Sequence, residues 1–407
     1  MSDEPAAQYR WRILSSALLV QITISIVTQA FPALVPFAKA DLGLNTAEVG
    51  LFATILSLGT MVALLPAGWA VDVIGERRVL LVGGVCTGIL AVVASLAPSF
   101  ALLLPLLILL GVATATPTPA GSTAIINAFA LKDRGLVMSI RQTGIPIGGA
   151  LAALLLPPIA FAVGWRQALE VAALLAIGGA IAGRLMVRPV PHRANTGTGP
   201  RGSLRAVATW DATYVGLAGM FLAFGQFALV SYIALYLLTT LNIPIAIGSL
   251  YLVLANVGGA AGRMAWGSVS DRLFGGRRAA PLLVCSFCSL TGFLLLAWLP
   301  AATPIPILVV LVALLGTTVI GWNGVYVTLL SEIAQPDKRA RTVAYGMTIT
   351  QIGIFGGPFA FGLLVELTNS YRFAWIVVAA SMLLAGALLS RVRERRHAVA
   401  PIVVTTS

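Results

Sequence analysis

GWAVDVIGERR occupies Gly68 to Arg78, and GSVSDRLFGGRR occupies Gly267 to Arg278. Each follows a long apolar stretch and sets Asp four residues after Gly. A pair of arginines begins five or six residues beyond that Asp. The two acids, Asp72 and Asp271, are 271 − 72 = 199 residues apart, close to half of the 407-residue chain. A charged turn repeated at half-length spacing describes a chain built twice.

The stretches around these turns are made for lipid. Only 10% of residues are charged, 58% are hydrophobic, and the mean hydropathy is +0.96, far from a soluble surface. Apolar runs long enough to cross roughly 30 Å of hydrocarbon as helices recur along the chain. Twelve spans are expected, at about 14–38, 48–71, 79–97, 100–126, 136–162, 167–187, 211–240, 248–270, 280–299, 305–331, 342–366 and 373–390. The first begins near Ile13 and runs too long, without a small-residue cleavage site, for a secretory signal peptide. The fold class is all-α.

The net charge of +12 does not point to nucleic acid, because of where the cations fall. With both termini in the cytoplasm, Arg77, Arg78, Arg134, Arg188, Arg205, Arg277, Arg278, Arg341 and Arg395 all lie on that side. The outer loops keep Lys39, Arg166 and Arg372. This positive-inside bias sets the orientation and requires an even number of spans.

Between spans six and seven lies RPVPHRANTGTGPRGSLRAVAT, Arg188 to Thr209, a polar linker rich in Pro, Gly and Arg. It divides the chain into six-helix bundles at 1–187 and 210–392, with a cytoplasmic tail at 393–407. The duplication continues past the charged turns. Gly144 and Gly148 of RQTGIPIGG match Gly353 and Gly357 of TQIGIFGGP, with 353 − 144 = 209. Glycines four apart on a membrane helix admit a neighbouring backbone.

On these residues the chain resembles the major facilitator superfamily over its full length, in its bacterial type. The hallmark loop of that family is Gly-x-Leu-x-Asp-x-x-Gly-Arg-Lys/Arg. Gly68, Asp72, Gly75 and Arg77 match it, whereas Ala70 and Glu76 depart. Gly267, Asp271 and Arg272 match it in the second copy, with Phe274 where Gly is usual. The resemblance implies two pseudo-symmetric six-helix bundles, alternating access, and a gate formed by Gly68, Asp72, Arg77, Arg78, Gly267, Asp271 and Arg272. It also implies a multi-pass protein of the inner (plasma) membrane working as a monomer. Leu107 stands where span four of the family often carries a proton-linked Arg.

Few ionisable groups remain at depth. Arg141 lies roughly 10 Å into span five, and Arg263 lies roughly 12 Å from Asp271 along span eight. An intramembrane arginine costs about 2.5–3.5 kcal/mol on insertion scales and marks a functional site by default; the alternative is snorkelling to the interface. Arg263, in Arg-Met-Ala-Trp-Gly, also resembles the span-eight Arg of monocarboxylate and oxalate/formate carriers, which holds a substrate carboxylate in those families. Glu48, Glu170 and Glu366 lie near outer ends and Asp211 and Glu332 near inner ends, so no acid sits mid-membrane to balance the arginines. That inventory favours an anionic substrate able to neutralise them. Gln29, Gln142, Tyr232, Asn256, Trp322, Asn323, Tyr326 and Gln351 supply further polar candidates for substrate contact.

The reading is a secondary carrier for a small organic anion, a carboxylate, coupled to protons or exchanging anions, in contact with the lipid bilayer. A multidrug or metabolite exporter with structural arginines and a transport-like sensor are the alternatives. HExxH, GxSxG and Walker A patterns do not occur, so an enzyme or nucleotide-driven pump lacks its residues. Cys285 and Cys288 form a CxxC without a further soft ligand nearby, and neither metal nor cofactor is expected.

Overall fold

The computed structural model describes residues 6–129, 137–138, 140–187, 208–300, 303–335 and 339–394. The expected linker lies almost wholly outside these residues, as do most of the tail, His192 and His397. Twelve described helices are long and apolar enough to cross a membrane, so this is a multi-pass membrane protein. They run Gln8–Leu42, Thr46–Leu64, Glu76–Ser95, Phe100–Ile125, Ile140–Val163 and Trp165–Met186 in the first half. The second half has Trp210–Leu241, Ile245–Leu273, Ala279–Ala297, Ile305–Ile333, Thr342–Thr368 and Tyr371–Leu389. Span one is longer at both ends than the expected 14–38, running Ala6–Leu42 with Pro32 and Pro36 inside it.

Four spans are interrupted, span five among them, at Thr143 before the helix Gly144–Val163. Span two continues beyond its membrane window as two helices, Thr46–Thr54 and Leu56–Ile74, divided at Ile55. Span four breaks between Phe100–Thr114 and Pro117–Ala128, where Pro117 has no N–H to continue the ladder. Span ten passes through a π-helical stretch, Gly316–Ile320, between Ile305–Leu315 and Asn323–Ile333. Such wide turns are rare and cluster at functional sites.

The duplication read from the charged turns is repeated in the packing. A side chain on Gly59 would strike the Ile108 carbonyl, and one on Gly258 would strike the Ala313 carbonyl. The offsets are 258 − 59 = 199 and 313 − 108 = 205. Gly111 meets Leu56 just as Gly316 meets Ala255, again offset by 205 and 199. Gly144 and Gly148 pack on Gln21 and Ser25 of span one. Gly353 and Gly357 pack on Met220 and Phe224 of span seven, offset by 209 and 199. Each half is therefore a six-helix bundle assembled by the same backbone approaches, made close by absent side chains.

The halves meet along two antiparallel seams. In one, spans two and eleven pair Gly50 with Pro358, and Thr54 Oγ1 donates to the Phe355 carbonyl at 3.2 Å. In the other, spans five and eight set Gly149 against Asn256 and Gln142 against Arg263. These last two rungs share one sum, 149 + 256 = 142 + 263 = 405, as antiparallel helices of equal rise require.

Candidate functional site

Span five enters the membrane at Ile140, so Arg141 begins its course inside the first bundle. Its side chain is 1% exposed. Nη1 donates to Gln21 Oε1 at 3.1 Å and to the Pro117 carbonyl at 3.3 Å, and Nη2 donates to Ser122 Oγ at 3.2 Å. The Pro117 carbonyl lies in the first turn of the restarted helix. Nε has no acceptor.

Arg263 is also buried, on the face of span eight turned to the other half. Its Nη1 donates at 2.9 Å to the main-chain carbonyl of Gln142, across the seam, and its Nε has no acceptor. Two turns away on the same face, Asn256 donates to the Leu252 carbonyl, while its own Oδ1 lies buried and unpartnered against Gly149. Neither guanidinium forms a salt bridge with a described carboxylate. A buried guanidinium facing only neutral acceptors suits an anion, because none of those acceptors balances its charge.

A third group lies within the second bundle. Gln226 Oε1 accepts from Trp322 Nε1 at 3.0 Å and from Asn323 Nδ2 at 3.1 Å. The Trp322 and Tyr326 rings meet edge to face at 5.0 Å, as their one-turn spacing suggests. The Tyr326 hydroxyl pairs with Thr350 Oγ1 at 2.6 Å, next to buried Gln351. Trp322 and Tyr326 are fully buried, held in the wall between spans seven, ten and eleven.

The remaining candidates stand apart. Gln29 is half-buried on span one, two turns beyond Gln21. Tyr232 lies at the end opposite the charged turns, where its hydroxyl donates to the Thr46 carbonyl at 2.8 Å. Thr46 N donates there to Glu366 Oε2 at 2.9 Å. Thr46 of the first half is thus held through both its main-chain groups by the second. Gln21, Ser122 and Thr46 were not singled out by their sequence context, and Glu366 was noted only for lying near an outer end. The 199-residue offset that pairs Gln21 with Met220 is the one signal pointing to Gln21.

The charged turns differ in detail. Gly75 takes φ 87°, ending the helix that carries Gly68 and Asp72; the Asp72 side chain lies outside the described residues, and Arg78 is exposed. In the second copy the equivalent residue, 75 + 199 = 274, is Phe274 at φ −106°. The positive φ moves to Gly275 and Gly276, since a bulky side chain resists that region. Asp271 Oδ1 pairs with Arg278 Nη1 at 2.6 Å, not with Arg272, which is exposed, and Gly267 has open space around it. Arg278 Nε also reaches Glu332 Oε1 at 3.2 Å. Burial works against the Arg278 charge, but the Asp271 and Glu332 carboxylates override it and hold the pKa above its ordinary value. The N-terminus of span nine, which a helix dipole makes favourable for an anion, is occupied by Glu394, accepting from Arg278 N and Ala279 N. A cavity of about 400 Å³ beside it, lined by Arg277, Leu283, Leu389 and Glu394 among others, includes neither buried arginine in its lining.

Comparison with known proteins agrees with this architecture. The chain is 27% identical over 385 residues to a Mycobacterium tuberculosis protein described as an uncharacterized MFS-type transporter, covering 92% of this chain and 84% of that one. It is 25% identical to a probable sulfoacetate transporter of Cupriavidus necator, covering 87% of each. A probable L-galactonate transporter of Escherichia coli is also 25% identical, with 86% and 82% covered. Among solved structures, a bacterial homolog of the human lysosomal transporter Spinster superposes with a TM-score of 0.78 at 16% identity, covering 96% of this chain and 97% of that one. The model of the Major Facilitator Superfamily matches residues 15–355 and 215–404. The chain, doubled in sequence and in packing, belongs to the Major Facilitator Superfamily and is a transporter, not an enzyme.

Proposed function

We propose that this transporter moves a small organic anion, a carboxylate, by alternating access of its two bundles. The observation that carries the reading is the pair of buried guanidinium groups, Arg141 and Arg263, with no described carboxylate to balance them. An anionic ligand removes the cost of those bare charges, which a neutral or cationic ligand leaves in place. The relatives named for sulfoacetate and L-galactonate support the same class. Arg263, with Gln142 and Asn256, is assigned the substrate's charged end. Arg141 lies deeper in one bundle, and Trp322, Asn323, Tyr326 and Gln351 form a supporting wall.

The charged-turn end is assigned to the cytoplasm of a cell bounded by its plasma or inner membrane, from the positive-inside bias, and the carrier is assigned as a monomer. Import of a monoanion against an inside-negative potential costs about 2.3 kcal/mol per 100 mV. Uptake therefore needs a proton carried with the substrate or an anion exchanged for it. Uptake into proteoliposomes under imposed pH and voltage gradients, using sulfoacetate, L-galactonate and simple carboxylates, tests the reading. Arg263→Gln is expected to lower uptake about tenfold or more, and Arg141→Gln to lower it as well. Unchanged flux in both variants sinks the anion assignment.

A further inference from the structure

The seam between spans five and eight is smooth except at Arg263. At the Asn256 rung the facing residue is Gly149, and Asn256 Oδ1 finds no donor there. Among the described residues, the hydrogen bond across this seam is Arg263 Nη1 to the Gln142 carbonyl. Along this seam one half thus grips the other through a single charged side chain and a neutral main-chain acceptor. We propose that Arg263 is a charge-operated tie. With no anion bound it holds span five to span eight, and an arriving carboxylate takes over the guanidinium and frees the seam.

The physical basis is competition between acceptors. A main-chain carbonyl offers one neutral acceptor, whereas a carboxylate offers two oxygens and a charge, matching the guanidinium fork. The end-on fork, Nη1 with Nη2, takes the carboxylate, so the match draws away the donor that Gln142 now holds. Handover costs the Gln142 carbonyl its bond, and that loss loosens the seam instead of tightening it. Substrate charge is then spent on moving the halves as well as on binding, and a ligand without charge leaves the tie in place. Asn256 and Gly149 keep the neighbouring rung free to slide. The ligand arm of this proposal rests on the anionic reading above; the tie itself does not.

Cysteines at Ile145 and Ala260 report the seam, since 145 + 260 = 405 places them between the two rungs, and both positions are half-buried. The background replaces Cys86, Cys285 and Cys288, and Ile145→Cys/Ala260→Cys is cross-linked in proteoliposomes with a short bifunctional thiol reagent. Without anion the parent is expected to cross-link about fivefold faster than the same pair carrying Arg263→Met. Sulfoacetate or L-galactonate, whichever the parent carries, should slow the parent about fivefold and leave Arg263→Met unchanged. Arg263→Lys, which keeps the charge without the fork, should show a reduced response, and guards against misfolding of the Met variant. Equal anion-free rates in the parent and in both Arg263 variants overturn the tie. A carried anion that leaves the parental rate unchanged overturns the handover. If neither probe is carried, the handover falls together with the anionic reading, while the anion-free comparison still decides the tie.

Discussion

Arg141 of the first half and Tyr326 of the second fill the same place in their bundles. Arg141 lies against Gly121, which has no side chain to oppose it. The repeat-equivalents are 121 + 205 = 326 and 141 + 209 = 350, and Tyr326 meets Thr350 hydroxyl to hydroxyl. One half places its large side chain on span five, and the other places it on span ten. Both are buried, so volume is conserved while charge is not.

That exchange separates packing from charge. Arg141→Thr alone should destabilise the first bundle by about 2–5 kcal/mol through the cavity it leaves. Adding Gly121→Tyr, which copies the second half, should restore much of the lost thermal midpoint in detergent. Anion uptake should stay depressed about tenfold in the double variant. Recovery of uptake together with stability would show that Arg141 serves only as filler.

The glycines that seat spans one and seven should not be equally sensitive. A Cβ at Gly353 would press on the rigid Met220 carbonyl, whereas one at Gly144 meets the Gln21 side chain at 3.0 Å. Gly353→Ala is expected to cost about 1–3 kcal/mol, as overpacking does. Gly144→Ala should cost less, because Gln21 can turn aside. Thermal unfolding of the two purified variants measures the difference.

Thr46 is the point where the second half closes the end opposite the charged turns. Tyr232→Phe removes the bond to its carbonyl, and Glu366→Gln removes the charge from the bond at its N–H. Each loss is worth about 1 kcal/mol, or about fivefold in the population opened at that end. A cysteine at Thr54, 1% exposed in the closed seam, should be labelled correspondingly faster by an impermeant maleimide. Unaltered labelling in both variants would place the closure elsewhere.

Gln226 is the shared acceptor for Trp322 and Asn323. Gln226→Met strands both donors inside the second bundle and should cost about 1–2 kcal/mol, read from the thermal midpoint. The apparent affinity for substrate should hold, since the Trp322 group lines the wall between helices. A large rise in KM with unchanged stability would instead make it a substrate contact.

Twelve spans, their all-helical character and the doubling were legible in the sequence because each depends on local composition or on spacing. An apolar run of membrane length has one way to satisfy its backbone in lipid, and that is a helix. The matching glycines at 144, 148, 353 and 357 could likewise be found by eye, because small residues at helical spacing announce a close neighbour.

Which neighbour was another matter. The acceptor of Arg263 is the Gln142 main-chain carbonyl, left without its helical donor because Pro146 four residues on has no N–H, but no sequence pattern pairs that carbonyl with span eight. The acceptors of Arg141 come from spans one and four, at separations of 120, 24 and 19 residues, and are brought together only by bundle packing. The shift of the second charged turn from Phe274 to Gly275 and the pairing of Asp271 with Arg278 also needed the folded chain. By itself the sequence determined how many times this protein crosses the membrane and that it does so twice over. Tertiary structure decided which half each buried charge touches, because that depends on helices meeting across a seam and not on residues adjacent in the chain.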